Sequence, residues 1–184
     1  MPADRYAIKI YGNIVSSVAL LENLLDRIKL ITESHYNEFK HPEEPDLVGV
    51  SIGDLAVIPQ TPHVSIVPTR LEIVDLPQKN GAEITADIDI YFFREQLDTQ
   101  ILGRSVYRMG EALRRLYAHY RKLWHKGLNR LVYEIQVMYI NYTTLLRREF
   151  EGERTGERGD RLNRWYGFHG GVLNLRCLYY ESNY

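Results

Sequence analysis

The chain has 184 residues, of which 45% are hydrophobic, enough for one domain with a core of its own. Its 23 Lys and Arg against 24 Asp and Glu leave a formal net charge of −1, which excludes a global positive field for a polyanion or an anionic membrane. The single cysteine excludes an intrachain disulfide and any zinc-type cysteine pairing, while the 14 tyrosines suit surfaces that become buried against a partner.

The opening "MPADRYAIKIYGN" has no basic segment followed by a long apolar one, and no later stretch stays free of charge long enough to span a bilayer. A soluble, unexported protein without membrane contact is expected. Over residues 13–31, Ile14, Val18, Leu21, Leu25 and Ile28 recur at steps of four and three, which predicts an amphipathic helix with Asn13 as N-cap. An irregular insertion over 34–62 follows, rich in proline and acids, holding short strands near 48–52 and 55–58.

Residues 63–75 read as a strand whose apolar parity moves from Val64 and Ile66 to Leu71 and Ile73, so a bulge is expected near Pro68. After the turn signal "LPQKNG", strict alternation sets Ile84, Ala86, Ile88, Ile90 and Phe92 on one face and Glu83, Thr85, Asp87, Asp89 and Tyr91 on the other. This is a half-buried strand forming a hairpin with its predecessor.

From 97 to 126, Leu102, Val106, Met109, Leu113, Leu116, Tyr120 and Leu123 predict a long helix that Gly127 stops. A second stripe on it carries Arg104, Arg108, Glu111, Arg115, His119, Lys122 and Lys126. Two further strands, "RLVYEIQVMYINYTT" and "GVLNLRCLYYES", close the chain as a hairpin around a long charged loop, 147–170. The expected fold is α+β: one domain over 1–184, an antiparallel sheet of two hairpins packed against two amphipathic helices in the order α-β-β-α-β-β.

No short motif assembles an active site. His35 and His41 lie near Glu38, Glu43, Glu44 and Asp46, but in no spacing that metal ligation uses. Asp87 and Asp89, with Glu83, share a strand face and are candidates to line a channel or to meet arginines of a neighbouring subunit. Cys177, flanked on its own face by Leu175 and Tyr179, reads as a buried thiol. No catalytic residue, metal or cofactor is expected. The basic stripe of helix 97–126 supports an alternative function, a nucleic-acid-binding module.

The loop itself interleaves Arg147, Arg148, Arg154, Arg158, Arg161 and Arg164 with Glu149, Glu151, Glu153, Glu157 and Asp160. Every cation there is arginine, whose planar fork pairs with carboxylates at two points, and Trp165 and Tyr166 supply aromatic anchors beside it. Arg147, Arg148, Glu151, Arg154, Glu157, Arg158, Asp160, Arg161, Arg164, Trp165 and Tyr166 are therefore expected at an interface with other subunits or partners.

The order of elements, the early helix, "TPHVSIV", "ITADIDIYFF", the long helix and the closing hairpin resemble the tail terminator proteins of long-tailed bacteriophages, over most of the chain and in pattern only. The resemblance implies a virion protein assembled in the host cytoplasm: a hexameric ring that caps the tail tube and joins it to the neck. Its partners would be further copies of itself, the tail tube protein and a neck or head–tail connector protein, with DNA only in passage and no catalysis. The segments over 35–62 and after Arg147 are long for that pattern, which leaves a neighbouring neck role open.

Overall fold

A computed structural model of the protein describes residues 17–53, 60–76, 81–96, 99–125, 130–146 and 167–182. The elements in chain order are α1 (Ser17–Phe39), β1 (Gly49–Ile52), β2 (His63–Leu76), β3 (Gly81–Gln96), α2 (Thr99–His119), β4 (Lys122–His125), β5 (Arg130–Leu146) and β6 (Gly167–Ser182). The class is α+β, as expected. All six strands form one sheet in the order β1-β2-β3-β6-β5-β4. The two expected hairpins, β2–β3 and β5–β6, are present and meet through antiparallel pairing of β3 with β6.

Three expectations need correction. The first helix does not stop at Ile31 but continues to Phe39. Its polar sequence "TESHYNEF" conceals Thr32 and Tyr36, which carry the buried stripe of Leu24, Leu25 and Ile28 about two turns further. The Thr32 hydroxyl is satisfied inside the helix by the Ile28 carbonyl at 2.7 Å. Proline at position 42 then ends any continuation, since it disfavours helical backbone at the residue before it. The expected cap at Asn13 lies outside the described residues.

The second correction concerns the long helix, which ends at His119 rather than at 126. The Tyr120 amide still reaches the Leu116 carbonyl at 3.0 Å, but the Arg121 carbonyl instead accepts from the Ile135 amide of β5 at 2.7 Å. From there Lys122–His125 pairs with β5 as β4, so cross-strand hydrogen bonds override a helical spacing that Leu116, Tyr120 and Leu123 share. Gly127, the expected stop, is outside the described residues. Third, β1 joins β2 in parallel, Val50 beside Val64, so the sheet is mixed rather than purely antiparallel. The expected strand at 55–58 falls outside the described residues.

The bulge expected at Pro68 is present, with the β2–β3 register shifting between Pro68 and Arg70. It lets Val64 and Ile66 before it, and Leu71 and Ile73 after it, stand opposite the inward residues of β3. Both helices cover the same face of the sheet. Ile84, Ala86, Ile88, Ile90 and Phe92 of β3, with Leu173, Leu175 and Cys177 of β6, are fully buried there against Val106, Met109, Leu113 and Leu116 of α2. Each large side chain so buried contributes about 1.5–3 kcal/mol. Helix α1 completes the layer at the β1–β2 end.

Close packing is tightest where Gly171 faces Phe92. A Cβ at Gly171 would collide with the Phe92 ring, and one at Gly110 of α2 would sit 2.8 Å from the Tyr142 hydroxyl. Tyr142 in turn stands edge-on to Phe92 and Tyr107, ring centroids 6.1 and 4.6 Å away. These glycines let helix, central strand and aromatic side chains approach without displacing backbone.

Candidate functional site

The residues expected at a subunit interface, Arg147, Arg148, Glu151, Arg154, Glu157, Arg158, Asp160, Arg161, Arg164, Trp165 and Tyr166, all lie outside the described residues. Glu83, Asp87 and Asp89 do stand on one side of β3, opposite the helices, because the alternating Ile84, Ala86 and Ile88 are fully buried on the helix side. Their surroundings are less acidic than the sequence suggests. Arg176 of β6 grips Asp87 in a two-point fork, Nε to Oδ1 at 2.9 Å and Nη2 to Oδ2 at 3.2 Å. Asn174 donates to Asp89 at 2.7 Å. Strand register sets Asp87 between Arg70 of β2 and Arg176 of β6. An arginine expected from a neighbouring subunit is thus supplied to Asp87 from within the chain.

The basic stripe proposed for nucleic acid is broken up. Lys122 belongs to β4, not to the helix, and Lys126 lies outside the described residues. Arg108 donates to Glu43 at 2.8 Å and to Glu44 at 3.3 Å. Glu111 takes two hydrogen bonds from Arg114, at 2.7 and 2.8 Å, and one from Arg115 at 3.0 Å. Those bonds, led by Arg114, hold the Glu111 carboxyl down to about 2. Cations already answered by carboxylates release fewer counterions on meeting phosphate, which is the term that drives such binding.

The histidines near the acidic segment are distributed likewise. His35 lies on α1 beside Glu38 at 2.8 Å and stacks on Tyr120, and His41 lies 3.7 Å from Glu43. Among the described residues no group of three or more His, Cys, Asp and Glu could hold a metal ion. Cys177 is fully buried, and burial pushes its thiol well above the ordinary range, so it stays protonated.

Sequence reasoning missed two clusters. The first centres on Glu44, in the turn after α1, whose amide bonds the His41 carbonyl at 2.9 Å and whose carbonyl accepts from Lys40 Nζ at 2.6 Å. Its side chain, only 9% exposed, receives the Ser105 hydroxyl and lies 3.7 Å from Arg94 and 3.3 Å from Arg108. Arg94 comes from β3, while Ser105 and Arg108 come from α2. One carboxylate therefore fastens three elements together. Buried beside it, Tyr36 has its hydroxyl pushed far up, by desolvation first and the Glu44 charge second. The Arg94 Nε is buried and meets no acceptor among the described residues. The only signal in the sequence was a run of acids, which does not distinguish the buried one from the exposed ones.

The second cluster joins β1 to β2: Ser51 Oγ and His63 Nε2 are 3.0 Å apart. His63 is buried, and burial lowers its tendency to take a proton. Gly49 makes room for the ring, since a Cβ there would sit 3.1 Å from Nδ1. A serine and a neutral imidazole at this distance form half of a nucleophilic arrangement, which also needs a group to orient the ring and donors for an oxyanion. Here the pair pins a parallel strand onto β2.

No known family model matches the chain, and no curated protein matches it in sequence. No helix among the described residues is long and apolar enough to cross a membrane.

Proposed function

We propose that the protein is a structural, ring-forming virion subunit of the tail terminator or neck type, capping a phage tail tube and joining it to the head connector. The observation that carries this reading is the arrangement of the two hairpins. They form one continuous sheet with both helices on a single face, and with β1 and β4 added the order of elements matches in part the α-β-β-α-β-β order expected from the sequence. Among the described residues both helices clad one side of the sheet, and the other face, which carries Glu83, Asp87 and Asp89, is the one that would meet a channel or a neighbour. The arginine and carboxylate alternation over 147–164 supplies charges that copies can exchange across a symmetric interface. No cofactor, metal or catalytic step is part of this function, and DNA passes through without being read.

The test is mass measurement of the purified full chain by native mass spectrometry, alone and with tail tube protein. A closed ring, alone or seated on tube ends, is the expected result. A chain that stays monomeric in both conditions and binds duplex DNA in a salt-dependent way would replace this reading with the nucleic-acid-binding one.

A further inference from the structure

Among the described residues the sheet has two stretches of edge without a pairing strand, one at each side. On the β2 side, β1 pairs only through Ile66 and the Gly53 amide takes the Ile66 carbonyl, so among the described residues nothing pairs with the outer edge of 67–76. On the β5 side, β4 and the Arg121 carbonyl cover 130–135, and among the described residues nothing pairs with the outer edge of 136–146. Unpaired strand edges present rows of backbone donors and acceptors to any other strand, and proteins ordinarily blunt them with charge, proline or bulges.

The two edges are blunted unequally. That of β2 carries Pro68, the bulge beside it, and Arg70 and Glu72. That of β5 has a bulge at Met138 but no charged residue and no proline from 136 to 146, and it exposes Met138, Tyr139 and Tyr142. A long uncharged edge of this kind is a template for strand addition. The β2 edge, for its part, exposes Leu71, Ile73 and Val74, with Ile73 and Val74 half exposed.

We infer that residues 136–146 of one copy pair with residues 67–76 of a second copy, continuing the sheet head to tail from subunit to subunit. The inference rests on the ring function proposed above and names its joint. A second copy fits for three reasons. The segments are of similar length. Arg70 and Glu72 pair with each other at 3.0 Å, so two of the three charged residues of 67–76 answer each other before they meet the uncharged β5. The edges also lie on opposite sides of one sheet, so using one leaves the other free, the condition for a heterologous contact that closes into a ring. Strand direction is fixed too. Because β2 and β5 run oppositely within the sheet, a ring axis along the strands makes the joint antiparallel, the same pairing that joins β2 to β3.

Disulfide trapping in the full chain tests this, since the native Cys177 is buried and stays silent. Glu72→Cys or Val74→Cys in β2 is combined in the same chain with Tyr139→Cys or Asn141→Cys in β5, all at exposed or half-exposed positions. Oxidation of at least one combination is expected to give a ladder of covalent oligomers ending at the ring, while the single substitutions give none. A covalent dimer from Tyr139→Cys or Asn141→Cys alone would show a two-fold β5–β5 contact and overturn the head-to-tail joint. Rings seen by mass but trapped by no combination would overturn the joint and leave the ring function standing. A chain monomeric with and without tail tube protein would overturn both. As a second arm, Tyr139→Lys with Asn141→Lys should keep the wild-type circular dichroism and melting temperature yet lose the ring, and rings that persist count against the joint.

Discussion

Tyr117 donates a hydrogen bond from its hydroxyl to Thr32 Oγ1 across the crossing of the two helices, 2.7 Å away in a fully buried position. The direction follows from the donor count: Thr32 has one hydrogen, and it goes to the Ile28 carbonyl. Replacing each partner therefore has unequal consequences. Tyr117→Phe removes a donor and leaves Thr32 bonded to Ile28, costing about 0.5–1.5 kcal/mol, whereas Thr32→Val strands a buried phenol and costs about 1–3 kcal/mol. Urea unfolding of both single variants and the double one should show this order, with the double variant less destabilised than the sum.

Glu44 fastens the turn after α1 to β3 and α2, so Glu44→Ala should leave Arg94, whose side chain is only 14% exposed, without its counter-charge. Breaking a buried pair from one side costs about 3–5 kcal/mol. Arg108→Ala removes only the more exposed partner and should be much milder. Hydrogen exchange should quicken at Val48, whose amide bonds the Pro62 carbonyl, in the first variant and not in the second.

Acid should reach the α2 surface in a defined window. Because the folded Glu111 carboxyl titrates at about 2, below its ordinary 4.5, its contribution is complete above the ordinary value and fades as pH falls toward the folded one. The group is 42% exposed, so that contribution is at most about 1 kcal/mol. Stability of wild type minus Glu111→Gln, followed by chemical denaturation, should shrink between pH 4.5 and 2 and be flat above.

Leu113 is fully buried between α2 and the sheet, and Leu113→Ala should cost about 2–5 kcal/mol, seen as a lowered urea midpoint with an unchanged slope. Leu113→Asp should yield no soluble folded chain, because an unpaired buried carboxylate costs as much as the whole stability of a domain.

On the open face of the sheet, Asp89→Asn keeps an oxygen for Asn174 and should change stability by no more than about 0.5 kcal/mol. Asp87→Asn breaks the fork from Arg176 and should be the more destabilising of the two, by thermal melting. Equal melting temperatures would mean that the fork contributes nothing.

Where sequence reading succeeded and where it failed has a physical pattern. The alternation in β3 and the shift of parity around Pro68 were visible because a period of two and a proline each permit few backbone geometries. The stripe Val106, Met109, Leu113 and Leu116 was equally plain. The end of α2 was not, since Leu116, Tyr120 and Leu123 satisfy helical spacing and only the distant partner Ile135 tells the chain to turn into a strand. Nor was the reach of α1 beyond Ile31, because Thr32 and Tyr36 have polar tips whose partners lie on other elements. The carboxylates around His41 look alike in sequence. Glu44 differs from Glu43 only in what folds over it, Ser105 and Arg94, residues about fifty or sixty positions later.

Strand β6 follows every one of its partners along the chain, yet it lies in the middle of the sheet, with β3 on one side and β5 on the other. Among the described residues no ladder joins β3 to β5 directly, so until β6 arrives the sheet is two half-sheets bridged only by α2, which packs on β3 and β5 alike. The central pairing therefore waits until residues 167–182 insert between the halves. Folding is thereby slowed by long-range closure. The same geometry predicts that a chain cut before β6 can be restored by supplying that strand as a separate peptide.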